Sequence, residues 1–285
     1  MSLLLRELIK IGSKMLSDVN IADSEFDAKE IFCHVNGYDR TRLFMHWSDI
    51  IPDNQCDRYF EEIEKRATHI PLQHLTGSQD FMGLTFKVTP DVLIPRLDTE
   101  SVVEEAMKLI PKNSEVLDLC SGSGAIGISL AKLINAKVTC ADISEEALKV
   151  AEENAALNKV KVKFIKSDMF EALRGGIIKK KYDMIISNPP YIPKDVIETL
   201  DIEVKDHEPR LALDGGDDGL DFYRIIAKEA PEFLRKNGIL VLEIGDDQGE
   251  SVPELLRETD AFSAIETKKD LAGLDRMVIA VLKKQ

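Results

Sequence analysis

The short turn Asn188-Pro189-Pro190-Tyr191 carries groups that could hold an amino group for reaction. Its two prolines fix two backbone φ angles and remove two N–H donors, and a residue before a proline is pushed out of the α region. The turn is therefore stiff, and its carbonyl oxygens are free to bind a ligand. The Asn188 side-chain oxygen and the Pro189 carbonyl could accept the two hydrogens of one NH₂ group, with Tyr191 as an aromatic wall beside it. The alternative is a proline-stiffened loop that takes no part in chemistry.

A glycine-rich loop lies earlier in the chain, between a strand-like and a helix-like segment. It runs from Asp118 to Gly127, and from Gly122 onward it matches the pattern GxGxxG. Glycines let the backbone turn tightly and approach a ligand, and the helix N-terminus behind them favours an anion. Asp142 stands twenty residues after Gly122, the spacing of the acidic residue that holds a ribose in dinucleotide-binding proteins. A nicotinamide dinucleotide is therefore one ligand that this loop could bind.

S-adenosylmethionine is a second ligand that fits the pattern, and two features favour it. Asp118 lies inside the preceding strand, where it could receive the ammonium of an amino-acid moiety. The Asn-Pro-Pro-Tyr turn has no role in hydride transfer. We therefore expect the loop, Asp118 and Asp142 to bind the carboxylate, the ammonium and the ribose diol of S-adenosylmethionine, with Asp168 and Met169 at the rim of the same crevice.

The elements that must position these residues alternate between strand and helix from Glu115 onward. Such alternation predicts a largely parallel sheet that is covered on both faces. Ligands of open α/β sheets bind outside the carboxyl ends of the strands, where both the loop and the turn fall. A long helix is predicted from Gly219 to Lys236, with Gly238 as its stop signal. The predicted strands cover residues 116–119, 137–141, 160–165, 182–186, 239–244 and 277–282.

Two shorter regions precede this sheet. Residues 1–72 show helical apolar patterns and no strand pattern, which predicts a small all-helical domain. Residues 73–95 are predicted to form a β-hairpin linker, with Pro90-Asp91 as the turn and a second strand at 92–94. The α/β domain then spans residues 96–285. No catalytic constellation stands out in the helical domain, so partner binding is the leading prediction for it.

The composition excludes several classes of protein. The 285 residues are 44% hydrophobic and 31% charged, as in a globular protein that can bury a core. The net charge of −14 argues against broad nucleic-acid binding, which needs a basic face, and leaves a basic protein partner open. The four cysteines are scattered and the five histidines lack metal-binding spacing, so we predict neither disulfides nor a metal site. Without a leader or an apolar run of bilayer length, a cytoplasmic protein is expected, with a monomer as the default.

The motifs together are far more specific than any one of them. They resemble those of the class I S-adenosylmethionine-dependent methyltransferases that carry Asn-Pro-Pro-Tyr. Within this class the sequence is similar, over nearly its whole length, to the PrmC/HemK family, which methylates the side-chain nitrogen of a glutamine in peptide-chain release factors. Beyond the glycine loop and the turn, the resemblance lies in Gly77, Phe81-x-Gly83-Leu84-x-Phe86, Val92-Leu93-Ile94-Pro95-Arg96, Glu208-Pro209-Arg210-x-Ala212-Leu213-x-Gly215-Gly216-x-Asp218-Gly219-Leu220, Glu243-Ile244-Gly245 and Lys269-Asp270-Leu271-x-Gly273-x-Asp275-Arg276.

The resemblance implies a seven-stranded, Rossmann-like methyltransferase domain with an antiparallel last strand, preceded by the helical domain and the hairpin linker. It implies that the helical domain helps to grip a release factor, and that the methyl group goes to N5 of the glutamine in a Gly-Gly-Gln motif. The expected catalytic residues are Asn188, Pro189 and Tyr191, and the expected substrate site adds Pro190 and Arg96. The expected cofactor site comprises Asp118, Cys120, Ser121, Gly122, Ser123, Gly124, Asp142, Ile143, Asp168, Met169 and Asn188.

Three positions depart from the family pattern. Cys120 stands where many members have glycine, so this position either does not require a positive φ here or carries strain. Met169 stands where some members have an aromatic residue, which bears on adenine packing. Leu97-Asp98 replaces the more usual Pro-Glu.

Three other functions are compatible with parts of the sequence. An adenine-N6 methyltransferase acting on DNA or RNA would hold an exocyclic amine with the same two acceptors, but the net charge of −14 and the lack of a basic recognition segment disfavour it. A nicotinamide-dependent dehydrogenase would use the glycine loop and leave the turn without a role. A cofactor-binding regulatory module would not need the acceptor turn at all.

Overall fold

The computed structural model describes residues 3–175 and 180–284 and divides the chain into two compact units. The first unit contains the residues up to Ser78 together with the short segment Asp201–His207, and the second contains the other described residues. The first unit therefore takes one of its pieces from far along the chain.

The first unit is built from short helices with one buried face each. Apolar residues at helical spacing place these faces in a common core, which includes Leu8, Phe32 and Tyr59. The Arg66 guanidinium lies in this unit, only 5% exposed, and donates to Asp27 at 2.8 Å and to Glu203 at 2.6 Å. The elements are β1 (Leu3–Leu4), α1 (Leu5–Ser17), α2 (Ser24–Asn36), α3 (Arg40–Met45), β2 (Ile50–Ile51), α4 (Asp53–Arg66), α5 (Leu72–Thr76) and, much later, α9 (Ile202–Lys205).

The rest of the described chain alternates strands with helices. It begins with a two-stranded hairpin and continues into the elements of one large sheet. These elements are β3 (Ser78–Phe81), β4 (Leu84–Lys87), α6 (Leu97–Leu109), β5 (Glu115–Leu119), α7 (Ala125–Ile134), β6 (Lys137–Asp142), α8 (Glu145–Leu157), β7 (Lys163–Lys166), β8 (Tyr182–Ser187), α10 (Asp221–Glu229), β9 (Leu234–Glu243), α11 (Ser251–Glu258), β10 (Phe262–Lys269) and β11 (Asp275–Leu282).

The large sheet has seven strands in the order β10-β11-β9-β8-β5-β6-β7. The pairs among β9, β8, β5, β6 and β7 are parallel, while β11 runs antiparallel to both of its neighbours. The predicted α/β class and the antiparallel last strand are thereby confirmed. From β5 the chain moves outward to β6 and β7 and then returns to β8 on the other side of β5. This reversal leaves a crevice at the carboxyl ends of β5 and β8, where such sheets bind ligands.

Two apolar clusters cover the two faces of the sheet. One contains Tyr223 and Leu256 from α10 and α11, and the other contains Val102 and Ile128 from α6 and α7. Because parallel strands covered on both sides are apolar on both faces, the strands read as nearly continuous apolar runs.

Three local predictions were wrong. The first unit is not all-helical, because β1 and β2 pair as a small antiparallel sheet. The hairpin turns at Met82-Gly83, and residues 92–94 form no strand; the Ile94 N–H instead donates to the Glu208 carboxylate at 3.1 Å. The predicted helix from Gly219 to Lys236 is also too long, since α10 ends at Glu229. A short 3₁₀ turn with Pro231 follows, because proline cannot continue the helical hydrogen bonds, and β9 already starts at Leu234.

Candidate active site

A cavity of about 650 Å³ lies at the carboxyl ends of the parallel strands. Its volume is in the range of small-molecule binding sites. Most of the residues predicted for the site line it, namely Cys120, Ser121, Gly122, Ser123, Asp142, Ile143, Asp168, Met169, Asn188, Pro190 and Arg96. Four other predicted residues are not part of the lining, Asp118, Gly124, Pro189 and Tyr191.

The loop after β5 forms one wall of the cavity. It turns through the left-handed region at Gly122, with φ of 51°, and at Gly124, with φ of 78°. A Cβ on Gly124 would lie 2.8 Å from Ile128 Cδ1 and 3.1 Å from Ala151 Cβ, so a side chain there would push the loop away from α7 and α8. Ala125 is the first residue of α7 and also lines the cavity. The positive end of the α7 dipole therefore lies at the cavity wall and favours an anionic group of a ligand.

Two residues of the cavity wall that are not glycines also have positive φ angles. Cys120 has φ of 57° and Met169 has φ of 44°. The sequence left two possibilities for Cys120, a position without a positive φ or one with a strained backbone. The structure shows the second, and the left-handed conformation costs about 1–2 kcal/mol. Cys120 Sγ lies 3.9 Å from Met169 Sδ, and burial raises the pKa of the Cys120 thiol. The wall thus presents a neutral thiol beside a thioether.

Asp142 ends β6 and ties two loops together at the cavity. Its Oδ2 accepts a hydrogen bond from the Gly122 N–H at 2.8 Å, and its Oδ1 accepts one from the Ser144 N–H at 2.9 Å. Burial raises the pKa of this carboxyl, and the bonds from the backbone N–H groups oppose the rise. Each carboxylate oxygen can accept a further hydrogen bond, so Asp142 could also hold hydroxyl groups of a ligand.

The side chain of Asp118 does not lie at the cavity, where the predicted contact with the cofactor ammonium would require it. The residue is fully buried, and its Oδ2 accepts a hydrogen bond from the Gly127 N–H at 2.8 Å. Among the residues that the structure describes, Oδ1 has no partner, and burial raises the pKa of this carboxyl to about 7. Asp118 is the penultimate residue of β5, so its side chain points onto α7 and not past the edge of the sheet. It supports the start of α7 and has no direct access to the cavity.

The turn after β8 offers two hydrogen-bond acceptors that the rest of the described chain does not use. Asn188 lines the cavity, and neither its side-chain amide nor the Pro189 carbonyl is hydrogen-bonded to another described residue. Pro190 lines the same cavity. Tyr191 packs against the core behind the turn, where burial raises its pKa to about 12. Tyr191 therefore supports the turn from the side of the core.

Arg96 reaches the cavity from the segment before α6. Its side chain is 42% exposed and pairs with Glu208, whose side chain is 1% exposed, at 2.5 Å. The second oxygen of Glu208 accepts the Ile94 N–H. Glu208 thus fixes both the backbone of this segment and the direction of the Arg96 guanidinium.

Asn154 is a buried residue that sequence reasoning missed. Its side chain accepts from the Lys87 N–H at 2.6 Å and donates to the carbonyls of Lys87 and Ser123 at 3.0 Å. The residue therefore ties strand β4 to the glycine loop. An asparagine in the middle of an alanine-rich helix is a signal in the sequence, because asparagine is unfavourable there unless its amide has partners.

Glu243 is a second buried residue that sequence reasoning missed, since it appears there only as part of a family motif. It ends β9 beside the turn after β8 and is 2% exposed. Its Oε2 has no hydrogen-bond partner within the described ranges. Burial raises the pKa of Glu243 to about 7, while a hydrogen bond from Thr99 and the charge of Arg276 oppose the rise.

Two negative findings hold for residues 3–175 and 180–284. No helix in these ranges combines the length and the apolar character that a membrane span requires. Within the same ranges, no three side chains of His, Cys, Asp or Glu are grouped so as to hold a metal ion.

Solved structures agree with the class that this fold and site define, the class I S-adenosylmethionine-dependent methyltransferases. The chain is similar to a methyltransferase from Pyrococcus furiosus, with a TM-score of 0.53 and 21% identity over 71% of this chain and 90% of that one. It is also similar to the 16S rRNA N2 G1207 methyltransferase of T. thermophilus in complex with AdoMet and guanosine, with a TM-score of 0.55 and 20% identity over 72% and 50% of the two chains. At these identities the likeness shows the fold.

Sequence relatives show the family. The methyltransferase small domain matches residues 92–203, and the PrmC N-terminal domain matches residues 7–77. The release factor glutamine methyltransferase of Clostridium acetobutylicum is 41% identical over 280 residues, which cover 96% of each chain. That of Geobacter sulfurreducens is 38% identical over 275 residues, 96% of this chain and 95% of the relative. The chain belongs to the release factor glutamine methyltransferase family, as its motifs predict.

Proposed function

We propose that this protein transfers a methyl group from S-adenosylmethionine to the side-chain amide nitrogen, N5, of a glutamine in the Gly-Gly-Gln motif of peptide-chain release factors. The proposal rests above all on two unused acceptors of the turn after β8, the side chain of Asn188, which lines the cavity, and the carbonyl of the next residue, Pro189. Two neighbouring acceptors match the two hydrogens of an amide NH₂ group. The relatives named above are release factor glutamine methyltransferases, which supports the same substrate.

The cavity has groups that suit three parts of S-adenosylmethionine. The α7 N-terminus suits its carboxylate, the Asp142 carboxylate suits its ribose hydroxyls, and the sulfur-rich wall suits its apolar parts. When bound, the cofactor supplies a methyl group that its sulfonium already activates. The residues that would hold it are those that line the cavity after β5, β6 and β7, namely Cys120, Ser121, Gly122, Ser123, Asp142, Ile143, Asp168 and Met169.

The turn would act on the glutamine amide. An amide nitrogen is a weak nucleophile because its lone pair is delocalised into the carbonyl. Asn188 Oδ1 and the Pro189 carbonyl would accept the two N–H groups, fix the nitrogen and direct its lone pair into the cavity. The same acceptors would stabilise the positive charge that the nitrogen gains on methylation. Such orientation can lower a barrier by up to about 7–11 kcal/mol. We assign no general base, since the product amide can lose its proton to water.

Mass measurement and peptide mapping of a release factor test the proposal directly. After incubation with this protein and S-adenosylmethionine, we expect the mass of one added methyl group, located on the glutamine of the Gly-Gly-Gln motif. An unmodified release factor together with methylated adenine in a DNA or RNA oligonucleotide would overturn the proposal in favour of the nucleic-acid enzyme. Calorimetric binding of NAD without binding of S-adenosylmethionine would favour the dehydrogenase.

Removal of the Asp142 carboxylate should weaken cofactor binding. In Asp142→Ala both the proposed ribose contact and the bond to the Gly122 N–H are lost, so we expect the binding free energy of S-adenosylmethionine to fall by roughly 1.5–3 kcal/mol. Isothermal titration of the two proteins measures this difference. The matched control is Glu146→Ala, since Glu146 lines the same cavity but is exposed and should matter little. Equal affinities of Asp142→Ala and the parent protein would remove Asp142 from the site.

We further propose that the helical unit binds the release factor, that nucleic acid is not a substrate, and that the protein acts as a monomer in the cytoplasm. The helical unit matches the PrmC N-terminal domain and exposes large apolar side chains, among them Phe44 at 63% and Met45 at 77%. The net charge of −14 opposes nucleic-acid binding, and four free cysteines suit a reducing compartment.

Polar substitution of this exposed pair should weaken recognition of the intact substrate. In a Phe44→Ser, Met45→Ser double variant we expect KM for a release factor to rise about tenfold, as for the loss of interface side chains, with kcat nearly unchanged. Steady-state kinetics on a release factor and on a short Gly-Gly-Gln peptide would measure this, and the peptide values should not change. Leu271→Ser is the matched control, because Leu271 is fully exposed in the other unit. An unchanged KM for the release factor in the double variant would contradict the proposal.

A further inference from the structure

Gln248 is a buried amide that contacts the back of the acceptor turn. It lies between β9 and α11 and is 5% exposed. Its Nε2 donates to the Tyr191 carbonyl at 3.2 Å and to the Gly219 carbonyl at 3.2 Å, and its Oε1 accepts from the Gly245 N–H at 3.0 Å. Both hydrogens of the amide are therefore used, and its oxygen fixes which way the amide faces.

The two glycines of the neighbouring loop let that loop lie flush against the turn. A Cβ on Gly215 would be 2.7 Å from Tyr191 Cα, and a Cβ on Gly219 would be 2.3 Å from the Tyr191 oxygen. These neighbours are backbone atoms, so they cannot move aside without displacing the turn. The loop therefore holds the turn by close packing, and Gln248 joins the two by hydrogen bonds.

Backbone hydrogen bonds secure the residues that follow the turn. The Ile192 N–H donates to the Leu213 carbonyl at 3.0 Å, and the Gly215 N–H donates to the Ile192 carbonyl at 2.9 Å. At Tyr191 itself the bond comes from a side chain, that of Gln248. The Pro189 and Pro190 rings fix the φ angles between Tyr191 and Asn188. With these two torsions fixed, fewer torsions can absorb a change in the direction of the Tyr191 peptide before it reaches the two acceptors.

We propose that Gln248 is a positioning residue for methyl transfer, which sets the direction of the Asn188 side chain and the Pro189 carbonyl by holding the Tyr191 carbonyl. The inference rests on the proposed function of that turn. Gln248 is not among the residues that line the cavity, so its effect on the substrate passes through the turn. It should act on turnover and leave cofactor affinity almost unchanged.

Two variants of the full-length protein test the inference. Gln248→Glu keeps an acceptor for the Gly245 N–H but places an oxygen against two carbonyls, and Gln248→Met keeps the volume without any hydrogen bond. For both we expect kcat on a release factor to fall about 10–100-fold, as for small misplacements of reacting groups. The dissociation constant of S-adenosylmethionine should change by no more than about twofold, since the loss of an interaction that counts only in the transition state lowers kcat without weakening ground-state binding. Gln248→Met decides the question if the buried carboxylate prevents folding.

A matched control and a double-mutant cycle distinguish positioning from general support. Thr267→Val removes another side-chain bond to the same region, from Thr267 Oγ1 to the Gly249 carbonyl at 2.9 Å, and should keep the parent kcat. In an Asn188→Ala background, Gln248→Glu should lower kcat by a smaller factor than in the parent protein, because one of the two acceptors that it positions is already gone. Parent-like kcat in both Gln248 variants, equal losses of kcat and cofactor affinity, or additive losses in the cycle would each overturn the inference. A parent protein that does not methylate release factors would instead overturn the proposed function.

Discussion

Asn188→Ala should lower the single-turnover rate of release factor methylation by about 10²–10³ with cofactor saturating, as for the loss of one preorganised polar partner. In the proposed mechanism, the Asn188 oxygen would meet a charge that develops on the glutamine nitrogen only as the new bond forms. The side chain lines the cavity and has no hydrogen-bond partner among the described residues, so it is available for that contact. The affinity for S-adenosylmethionine should fall much less, because the glycine loop and Asp142 remain.

Rapid-quench kinetics and a separate cofactor titration distinguish these two effects. Asn188→Asp is the sharper comparison, because it keeps an acceptor and adds a charge next to the place of the sulfonium. If that carboxylate is ionised, it can strengthen cofactor binding while the second hydrogen-bonding group of the amide is lost. A parent-like methylation rate in Asn188→Ala would mean that the turn is purely structural and that the acceptor mechanism is wrong.

Glu243→Gln should make the protein more stable than its parent at pH 8, but not at pH 4. Burial raises the pKa of Glu243 from 4.5 to about 7, so between these values the folded protein binds the proton more strongly than the unfolded chain does. Stability therefore falls as the pH rises through this range, because ionising the buried carboxyl opposes folding. The shift corresponds to about 3 kcal/mol of unfolding free energy. A glutamine does not titrate, so the variant escapes this loss.

Urea denaturation of the cofactor-free proteins at pH 4, 6 and 8 measures the effect. The difference in unfolding free energy between variant and parent should grow with pH and level off above about pH 7. Asp118→Asn should show the same direction, since burial raises the pKa of Asp118 as well. Glu152→Gln, on the exposed face of α8, is the control. A variant-to-parent difference that does not vary with pH would contradict the buried titration.

The fold was accessible from the sequence because its signals are local. Alternating apolar strands and helices, the glycines after β5 and the prolines after β8 each leave a mark within a few residues. The order of the strands places the glycine loop and the proline turn at one edge of the sheet. Most of the predicted site residues line one cavity there. The family motifs added the antiparallel last strand, which local patterns alone do not reveal.

The features of the site that the sequence did not reveal depend on contacts between residues far apart in the chain. Asp118 has the right residue type, but its side chain points onto α7 because of its place in the pleat of β5. Tyr191 supports the turn from the core, and its partner Gln248 stands 57 residues later. Asn154 joins β4 to the glycine loop across 67 and 31 residues. Such pairings leave no periodic pattern, so a single sequence cannot show which buried amide meets which carbonyl.

The distance in sequence between Tyr191 and Gln248 also has a consequence for the order of folding. The bond from Gly122 to Asp142 closes a loop of 20 residues between neighbouring strands, whereas the bond from Gln248 to Tyr191 closes one of 57. Longer loops cost more entropy to close, so we expect contacts across them to form later. The cofactor wall can therefore assemble while the far half of the sheet is still being added. A refolding chain should gain the ability to bind S-adenosylmethionine before it gains the ability to use it.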